Sequence, residues 1–274
     1  MAARKVNVAL IGQKFMGRAH SNAYLKVAKF FDVPVEPVMH TVVGRDEQDL
    51  RRFAARWGWA NATTDWRKAV TSPEIDLVDI GTPNDVHEPM AVAALKAGKI
   101  VACEKPLAHT WASARRMAEA AAKAKVRTFV WFNYRRCPAV ALAHKLVREG
   151  RLGRIYHVRA QYLQSWGGPA TPLVWRFIKK HAGSGAHGDL NAHIVDMARF
   201  ITGAEITEVS GLAETFIKQR PLPSGRGRGK STVDDAVLFL ARFSNGAVGS
   251  FEATRLATGR KNANQIEING EKGS

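Results

Sequence analysis

Short and long segments alternate regularly through the first half of the chain. The short segments are apolar runs rich in β-branched residues, which indicate buried strands, and the longer ones carry apolar residues at helical spacing. The runs predict strands over residues 6–11, 35–43, 77–80, 100–103 and 128–131. The helical spacing predicts helices over residues 16–30, 47–57, 87–98 and 110–124. Strands that alternate with helices are typical of a parallel sheet covered on both faces.

The second half of the chain has longer strand patterns and fewer helices. Strands are predicted over residues 155–164, 205–217, 233–243, 247–254 and 265–269, with a hairpin turn at Asn245-Gly246. Helices are predicted over residues 138–149 and after the glycine-rich segment 183–188, the latter ending by Gly203. This order favours an open, largely antiparallel sheet with helices on one face.

We therefore predict an α/β protein of two domains. Residues 1–132 form a doubly wound parallel sheet, and residues 133–274 form an α+β domain with a large open, mostly antiparallel sheet. The pattern ends in a turn at Asn269-Gly270 with no further helix or strand, so we expect the second domain to be incomplete at its C-terminus.

Composition narrows the class of protein. The 274 residues are 46% hydrophobic and 24% charged, which is ordinary for a globular chain. No apolar run approaches the ~18 residues of a membrane span, and the first residues lack the apolar core of a signal peptide. Two cysteines exclude a disulfide scaffold and a four-cysteine zinc site. We expect a cytoplasmic protein with no bound metal and no membrane partner.

The net charge of +17 raises the question of a nucleic-acid partner. The densest basic segment, 218–230, holds five basic residues, no acid and no aromatic residue. Its glycines and prolines predict a flexible, exposed loop. Single-strand binding surfaces interleave basic and aromatic residues, so we expect no nucleic-acid partner, although an anion-binding role for the loop stays open.

A glycine turn follows the first strand and opens the first helix. Gly12 allows the tight turn, and Gly17 allows the helix to pack closely on the strand. The N–H groups that begin the helix, near Phe15 and Met16, could bind a pyrophosphate. Lys14 replaces the middle glycine of this fingerprint, and its ammonium could pair with the phosphate. The alternative is an ordinary turn between a strand and a helix.

The second strand ends in Gly44-Arg45-Asp46. Asp46 could bind the adenosine ribose or simply cap the next helix. Arg45 could pair with a 2′-phosphate or stack on adenine. The choice between NAD and NADP therefore stays open.

Two further strands end in the segments Thr82-Pro83-Asn84 and Glu104-Lys105-Pro106. Ligands of open α/β sheets bind outside the carboxyl ends of the strands, so we expect Lys105 to face the ligand crevice. A partly buried lysine there could donate or accept a proton. The alternative is a surface lysine before a helix.

A helix of the second domain carries Asp189, His193 and Asp196. Their spacing of four and three residues places them on one stripe of the helix. An imidazole beside a carboxylate can act as a general base. The alternatives are a metal ligand, for which no second histidine has suitable spacing, and a helix-capping aspartate with a structural histidine.

Five segments together resemble the Gfo/Idh/MocA oxidoreductases, the family of glucose–fructose oxidoreductase and inositol dehydrogenase. They are GQKFMGRAH (12–20), GTPNDVH (81–87), CEKPLA (103–108), FNYRRCPAV (132–140) and GDLNAHIVDMARF (188–200). Each segment alone is a weak signal. The combination of E-K-P two strands after the glycine turn with D-x-x-x-H on a later helix is specific.

The resemblance implies a Rossmann domain that binds NAD or NADP, followed by a substrate and oligomerisation domain. It implies hydride transfer between the nicotinamide and a CH–OH carbon. The segment 162–177 is similar to members that act on inositols, sugars or anhydrosugars. A homo-oligomer, dimer or tetramer, would form through the open sheet. A dinucleotide-binding protein without catalysis, such as a sensor, is the alternative.

The resemblance also implies roles for individual residues. Lys105 hydrogen-bonds the reacting oxygen, and its peptide bond to Pro106 is cis. His193 accepts the proton, and Asp189 holds the substrate. The implied substrate-binding residues are Lys105, Arg135, Asp189 and His193. The implied cofactor-binding residues are Gly12, Lys14, Phe15, Met16, Gly17, Gly44, Arg45, Thr82, Pro83, Asn84, His87, Glu104, Lys105, Asn133, Trp175 and Arg176.

The chain departs from the family pattern at Lys14, at Asn191, where many members have glycine, and at its C-terminus, where relatives usually continue.

Overall fold

The computed structural model describes residues 4–274, so the first three residues of the predicted N-terminal domain lie outside it. The chain divides into two compact units. The first ends at Trp131 and the second spans Phe132–Ser274.

The first unit is built on a six-stranded sheet in which every pairing is parallel. Its strands are β1 (Arg4–Ile11), β2 (Val35–Val43), β3 (Asn61–Thr63), β4 (Leu77–Ile80), β5 (Ile100–Cys103) and β6 (Thr128–Val130). The strand order is β3-β2-β1-β4-β5-β6. This is the doubly wound order, and its strand order reverses between β1 and β4, where ligands bind outside the carboxyl ends.

Five helices connect these strands. They are α1 (Phe15–Phe30), α2 (Glu47–Trp57), α3 (Trp66–Thr71), α4 (His87–Lys96) and α5 (Trp111–Ala124). Helix α2 begins where the side chain of Asp46 accepts a hydrogen bond from the N–H of Asp49, and it ends at Gly58 in the left-handed conformation. The sequence pattern missed β3 and α3, because three and six residues are too few to show a period.

Helices cover both faces of the parallel sheet, as predicted. Alternate residues of β1 point in opposite directions, and the last four, Val8 to Ile11, are buried. Val8 and Leu10 pack in a cluster with Leu50 of α2 on one face. Ala9 packs in a second cluster with Ala94 of α4 on the other.

The second unit is built on a mixed five-stranded sheet of order β13-β7-β12-β11-β8. The strands of this unit are β7 (Ile155–Leu163), β8 (Ile206–Glu214), β9 (Gln219–Pro221), β10 (Arg228–Lys230), β11 (Ala236–Phe243), β12 (Val248–Thr254) and β13 (Ala263–Gly270). Strands β7 and β12 pair in parallel, and the other three pairings of the five-stranded sheet are antiparallel. The predicted mostly antiparallel sheet is confirmed, and the predicted Asn245-Gly246 hairpin joins β11 to β12.

Helices α6 (Pro138–Arg148), α7 (Lys179–Ala182) and α8 (Ala192–Thr202) belong to this unit. A π-helical turn, His187–Asn191, leads directly into α8. Ile194 and Ile201 of α8 pack on Val158 and Phe251 of the sheet. The opposite face of the sheet leaves Leu212 exposed.

The basic segment 218–230 is not simply a solvated loop, which corrects the sequence prediction. It forms the hairpin of β9 and β10. Arg220 is fully buried, and its Nη2 lies 2.8 Å from Oδ1 of Asp235. Its Nη1 donates to the carbonyl oxygens of Gly167 and Gly168. A guanidinium can be buried here because it is both paired and hydrogen-bonded.

None of the described helices is long and apolar enough to cross a membrane.

Candidate active site

The glycine turn after β1 is shaped by close backbone approach. Gly12 has a φ of +122°, which side-chain-bearing residues rarely adopt. A Cβ on Gly12 would lie 2.5 Å from the carbonyl oxygen of Gly81. A Cβ on Gly17 would lie 2.2 Å from the carbonyl oxygen of Gly12. Both glycines are therefore needed for α1 to begin against the end of the sheet.

The start of α1 suits an anion. Lys14 is its N-cap residue and makes no side-chain cap, and the first turn contains no acidic residue. The positive end of the helix dipole is thus not neutralised by a carboxylate of that turn. The side chain of Lys14 is 79% exposed, with its ammonium 3.6 Å from Asp49, so it points out of the turn. Phe15 is also exposed, and Met16 packs beside Gly81.

The end of β2 packs against the glycine turn. A Cβ on Gly44 would lie 1.5 Å from Oε1 of Gln13, so Gly44 leaves room for that buried side chain. Asp46 caps α2 and is exposed. Arg45 is also exposed. The capping role of Asp46 is thus observed, and its contact with a ribose stays a prediction.

The loop after β4 is fixed by a buried histidine. Asn84 is buried and begins a 3-10 turn after Thr82 and Pro83. His87 is fully buried. Its Nε2 lies 3.0 Å from the carbonyl oxygen of Thr82, and its Nδ1 lies 3.2 Å from that of Leu107. Burial lowers the pKa of His87. The ring joins the loop after β4 to the loop after β5, and its predicted contact with the cofactor stays a prediction.

The loop after β5 carries Glu104 and Lys105. The peptide bond between Lys105 and Pro106 is cis, as expected. Lys105 is half-buried, whereas Glu104 is buried. Oε1 of Glu104 lies 3.0 Å from Nε2 of His20, and Oε2 accepts a hydrogen bond from the backbone N–H of Lys105 at 3.0 Å.

His20 was missed by the sequence reasoning. Its Nδ1 lies 2.7 Å from Oδ2 of Asp79. Burial alone would lower the pKa of His20, but the hydrogen bonds and charges of Asp79 and Glu104 raise it to about 10. The signal in the sequence was Asp79, an acid inside the apolar strand β4.

The predicted cofactor residues of the first unit thus lie at the carboxyl edge of its sheet, after four neighbouring strands. Gly12 to Gly17 follow β1, Gly44 and Arg45 follow β2, Thr82 to Asn84 follow β4, and Glu104 and Lys105 follow β5. Backbone hydrogen bonds of 2.8–2.9 Å join these ends in pairs.

In the second unit, the three residues expected on one stripe of a helix have different partners. Asp189 lies in the π-helical turn, and its Oδ2 accepts a hydrogen bond from Nη2 of Arg255 at 3.0 Å. Asp196 is held instead by two hydrogen bonds from Arg135 at 2.8 and 2.5 Å. His193 is 7% exposed on the first turn of α8. The regular α-helical stripe was wrong at its start, because the π-helical turn changes the spacing there.

Aromatic rings surround His193. The ring of Tyr134 packs edge-on at 4.8 Å between centroids, with Tyr162 at 5.9 Å and Phe132 at 6.2 Å. The hydroxyls of Tyr134 and Tyr162 are hydrogen-bonded at 2.7 Å. Burial is the main cause that raises the pKa of Tyr162. Tyr162 also donates to Oδ1 of Asn262 at 2.6 Å.

The π-helical turn is fixed by two polar side chains that the sequence reasoning gave no role there. Asn191, at the position where the family often has glycine, is fully buried, and its Nδ2 lies 3.0 Å from Nδ1 of His187. Asp234 accepts hydrogen bonds from the N–H groups of Gly185 and His187, both at 2.7 Å.

The other predicted residues of this unit differ in burial. Asn133 is exposed in a 3-10 turn. Trp175 and Arg176 lie in a second 3-10 turn, where the carbonyl oxygen of Arg176 accepts from Arg255 at 3.2 Å. Burial lowers the pKa of Arg176, and the charge of Asp189 opposes that shift. Asp189 is therefore close to two guanidinium groups.

Within residues 4–274, no cluster of histidine, cysteine, aspartate or glutamate is arranged to hold a metal ion.

Comparison with known proteins gives consistent matches to both units. A family model described as the oxidoreductase family, NAD-binding Rossmann fold, matches residues 6–132. A second, described as the GFO/IDH/MocA C-terminal domain, matches residues 140–274.

Several similar proteins cover nearly the whole chain. Levoglucosan dehydrogenase of Pseudarthrobacter phenanthrenivorans is 46% identical over 285 residues, covering 99% of this chain and 73% of the relative. A crystal structure of an oxidoreductase domain protein from Kribbella flavida is 54% identical with a TM-score of 0.95, covering 98% of this chain and 72% of that one. A structure of levoglucosan dehydrogenase in complex with NADH and levoglucosan is 46% identical with a TM-score of 0.95, at 98% and 72% coverage.

Proposed function

The chain belongs to the GFO/IDH/MocA family of NAD-binding oxidoreductases, and from that membership we propose that it oxidises a CH–OH group of an anhydrosugar, sugar or inositol with NAD. The observation that carries the proposal is the place of Lys105. It is half-buried at the carboxyl edge of the Rossmann sheet, two strands from the glycine turn. A cation there can stabilise the oxygen from which a proton is lost.

The residues of the first unit fit the dinucleotide. The glycine turn leaves no room for a Cβ at Gly12 or Gly17, and α1 offers N–H groups that no side chain of its N-cap residue covers. We propose that these N–H groups bind the pyrophosphate and that Thr82 to Asn84 line the nicotinamide half. When bound, the nicotinamide supplies the hydride acceptor.

The chain's own residues supply proton transfer and orientation. As the C–H bond breaks and the carbonyl forms, the hydroxyl proton passes to His193. Lys105 is proposed to donate a hydrogen bond to the substrate oxygen that becomes the carbonyl and to stabilise the negative charge that develops there. Asp189 accepts hydrogen bonds from another hydroxyl of the substrate, and Arg255 keeps its carboxylate in place.

The nature of the similar proteins favours an anhydrosugar as the first substrate to test. The 46% identity to levoglucosan dehydrogenase extends over 99% of the chain. We propose NAD over NADP, because the matching family model is described as NAD-binding and a similar levoglucosan dehydrogenase structure is a complex with NADH.

The direct experiment is a titration with NADH and NADPH, followed by initial rates of NAD reduction with levoglucosan, myo-inositol and D-glucose. We expect tighter binding of NADH and turnover of at least one substrate. Binding of NADH with no turnover over a wider sugar panel would favour the catalytically silent alternative. No binding of either cofactor would contradict both.

The proposed role of His193 predicts a change in the pH profile. His193→Asn should reduce turnover by about 10²- to 10⁴-fold near neutrality and shift the profile to alkaline pH, because a solution base must then remove the proton. Steady-state rates of both proteins, measured from about pH 6 to about pH 10, would show the lower turnover and the shifted profile. An unaltered profile would contradict the base role.

We also propose that the chain forms a homo-oligomer through the face of the open sheet that carries Leu212, Leu238 and Leu240. These side chains are 78%, 49% and 64% exposed on adjacent strands, and exposed apolar patches of this kind mark interaction surfaces. Analytical ultracentrifugation should show a dimer or tetramer, and Leu240→Glu should dissociate it. A monomer at all concentrations would contradict this proposal.

Cofactor binding by the first domain and substrate binding by the second stay predictions. The cytoplasmic location also stays a prediction. Both cysteines are free thiols, and Cys103 is buried.

A further inference from the structure

The first unit contains a buried network of charged side chains that the proposed reaction does not use. At its centre is His20 of α1, whose side chain is 12% exposed. Its two ring nitrogens lie 2.7 Å from Asp79 and 3.0 Å from Glu104. A neutral imidazole carries one N–H, so two carboxylates at hydrogen-bond distance favour the imidazolium, which carries two.

We propose that His20 is a positioning residue, which fixes the peptide group of Lys105 by bridging Asp79 and Glu104. Glu104 provides the connection, because one of its oxygens faces His20 while the other accepts the backbone N–H of Lys105 at 3.0 Å. The inference rests on the proposed function, in which Lys105 contacts the reacting oxygen.

The far end of the network is anchored by Asp79. The hydroxyl of Tyr24 donates to Oδ2 of Asp79 at 2.7 Å, and the indole N–H of Trp131 donates to Oδ1 at 2.8 Å. The ring of Trp131 also packs edge-on against His20, at 5.5 Å between centroids. Asp79 is fully buried in β4, so His20 is held against a fixed carboxylate from one side and can fix Glu104 on the other.

The charges of the network bear on Lys105. The cationic ring lies between two carboxylates, and removing it leaves both negative charges uncompensated near the lysine. Three other titratable groups near these carboxylates are held in their neutral forms: burial raises the pKa of Tyr24 and that of the Cys103 thiol, and it lowers the pKa of His87. A neutral side chain in place of His20 should therefore let the two carboxylates move apart, and with Glu104 the peptide group of Lys105 would lose its fixed position.

The test is a double-mutant cycle of His20→Gln and Lys105→Met, with NAD and levoglucosan or whichever sugar of the panel is turned over fastest. We expect His20→Gln to lower kcat by about 10- to 100-fold, since small misplacements of reacting groups have effects of that size. The affinity for NADH and the KM of the sugar should both stay within about threefold of wild type, so that the loss falls on kcat. In the Lys105→Met background, His20→Gln should cause no further loss.

Ser21→Ala is the matched control. Ser21 is a buried neighbour on α1 that donates to the carbonyl oxygen of Gly17 and accepts from the indole N–H of Trp59, so its loss removes buried hydrogen bonds outside the network. The kcat of Ser21→Ala should stay within about threefold of wild type. If His20→Gln does not fold, Glu104→Ala removes both oxygens of the connection and should give the same cycle.

The outcomes separate two failures. The positioning role alone would be overturned if the fold-losses in kcat of the two single variants multiply in the double variant. It would also be overturned if a folded His20→Gln protein has an unchanged kcat. Wild-type turnover in Lys105→Met would overturn the proposed function and this inference with it.

Discussion

At the scale of single residues, cationic side chains inside this chain are held by carboxylates from distant positions. His20 and Arg255 bind acids that are 59 and 66 residues away, respectively. Sequence patterns are read within windows of about 11–18 residues, so they do not reveal such pairs. The sequence analysis named Lys105 and His193 as site residues, because a lysine after a strand and a histidine near a carboxylate are common in active sites. It gave no role to the charged residues that hold the loops in place.

The bridge of His20 predicts how stability depends on pH. Its pKa is about 10 in the folded chain and 6.5 as the ordinary value, so the folded state retains a proton that the unfolded state releases between these values. The stabilisation is complete below about pH 6.5 and is lost as the pH rises through about 10, at up to about 1.4 kcal/mol per pH unit. Urea unfolding at several pH values measures this slope.

His20→Gln should flatten that slope, and Ser21→Ala should leave it unchanged. Equal slopes in wild type and His20→Gln would show that the ring is neutral in the folded chain.

At the scale of elements, segments with buried apolar runs or a long helical period were predicted well, and short segments without either were not. The bounds of β2, α2, β4 and β5 agree with the prediction, because β2, β4 and β5 are apolar runs that the sheet buries and α2 has a helical period. The hairpin of β9 and β10 was predicted as a loop, since its glycines and prolines conceal two three-residue strands. Its position depends on one buried ion pair, which no local pattern indicates.

That ion pair gives a prediction for the hairpin. Asp235→Ala leaves the guanidinium of Arg220 buried without its carboxylate and also removes the acceptor for the N–H of Ile217. We expect a loss of about 3–5 kcal/mol in the free energy of unfolding. Arg226→Ala, at the exposed tip of the same hairpin, should change it by less than about 0.5 kcal/mol. Denaturant unfolding measures the free energy of unfolding of both variants. Equal values for Asp235→Ala and Arg226→Ala would contradict a structural role for the ion pair.

At the scale of the whole molecule, the order of strands and helices sufficed to predict the fold class. The six parallel strands and the mixed five-stranded sheet both agree with it. Function followed from the combination of segments, since no single motif distinguishes a dehydrogenase from another dinucleotide-binding protein.

The most direct test of the account compares wild type and Lys105→Met for two quantities in the same preparations: the affinity for NADH and the rate of NAD reduction with the preferred sugar. We predict that NADH binding stays within about threefold, while turnover falls by about 10²- to 10⁴-fold. Unchanged turnover with intact cofactor binding would contradict the claim that this lysine acts on the reacting oxygen.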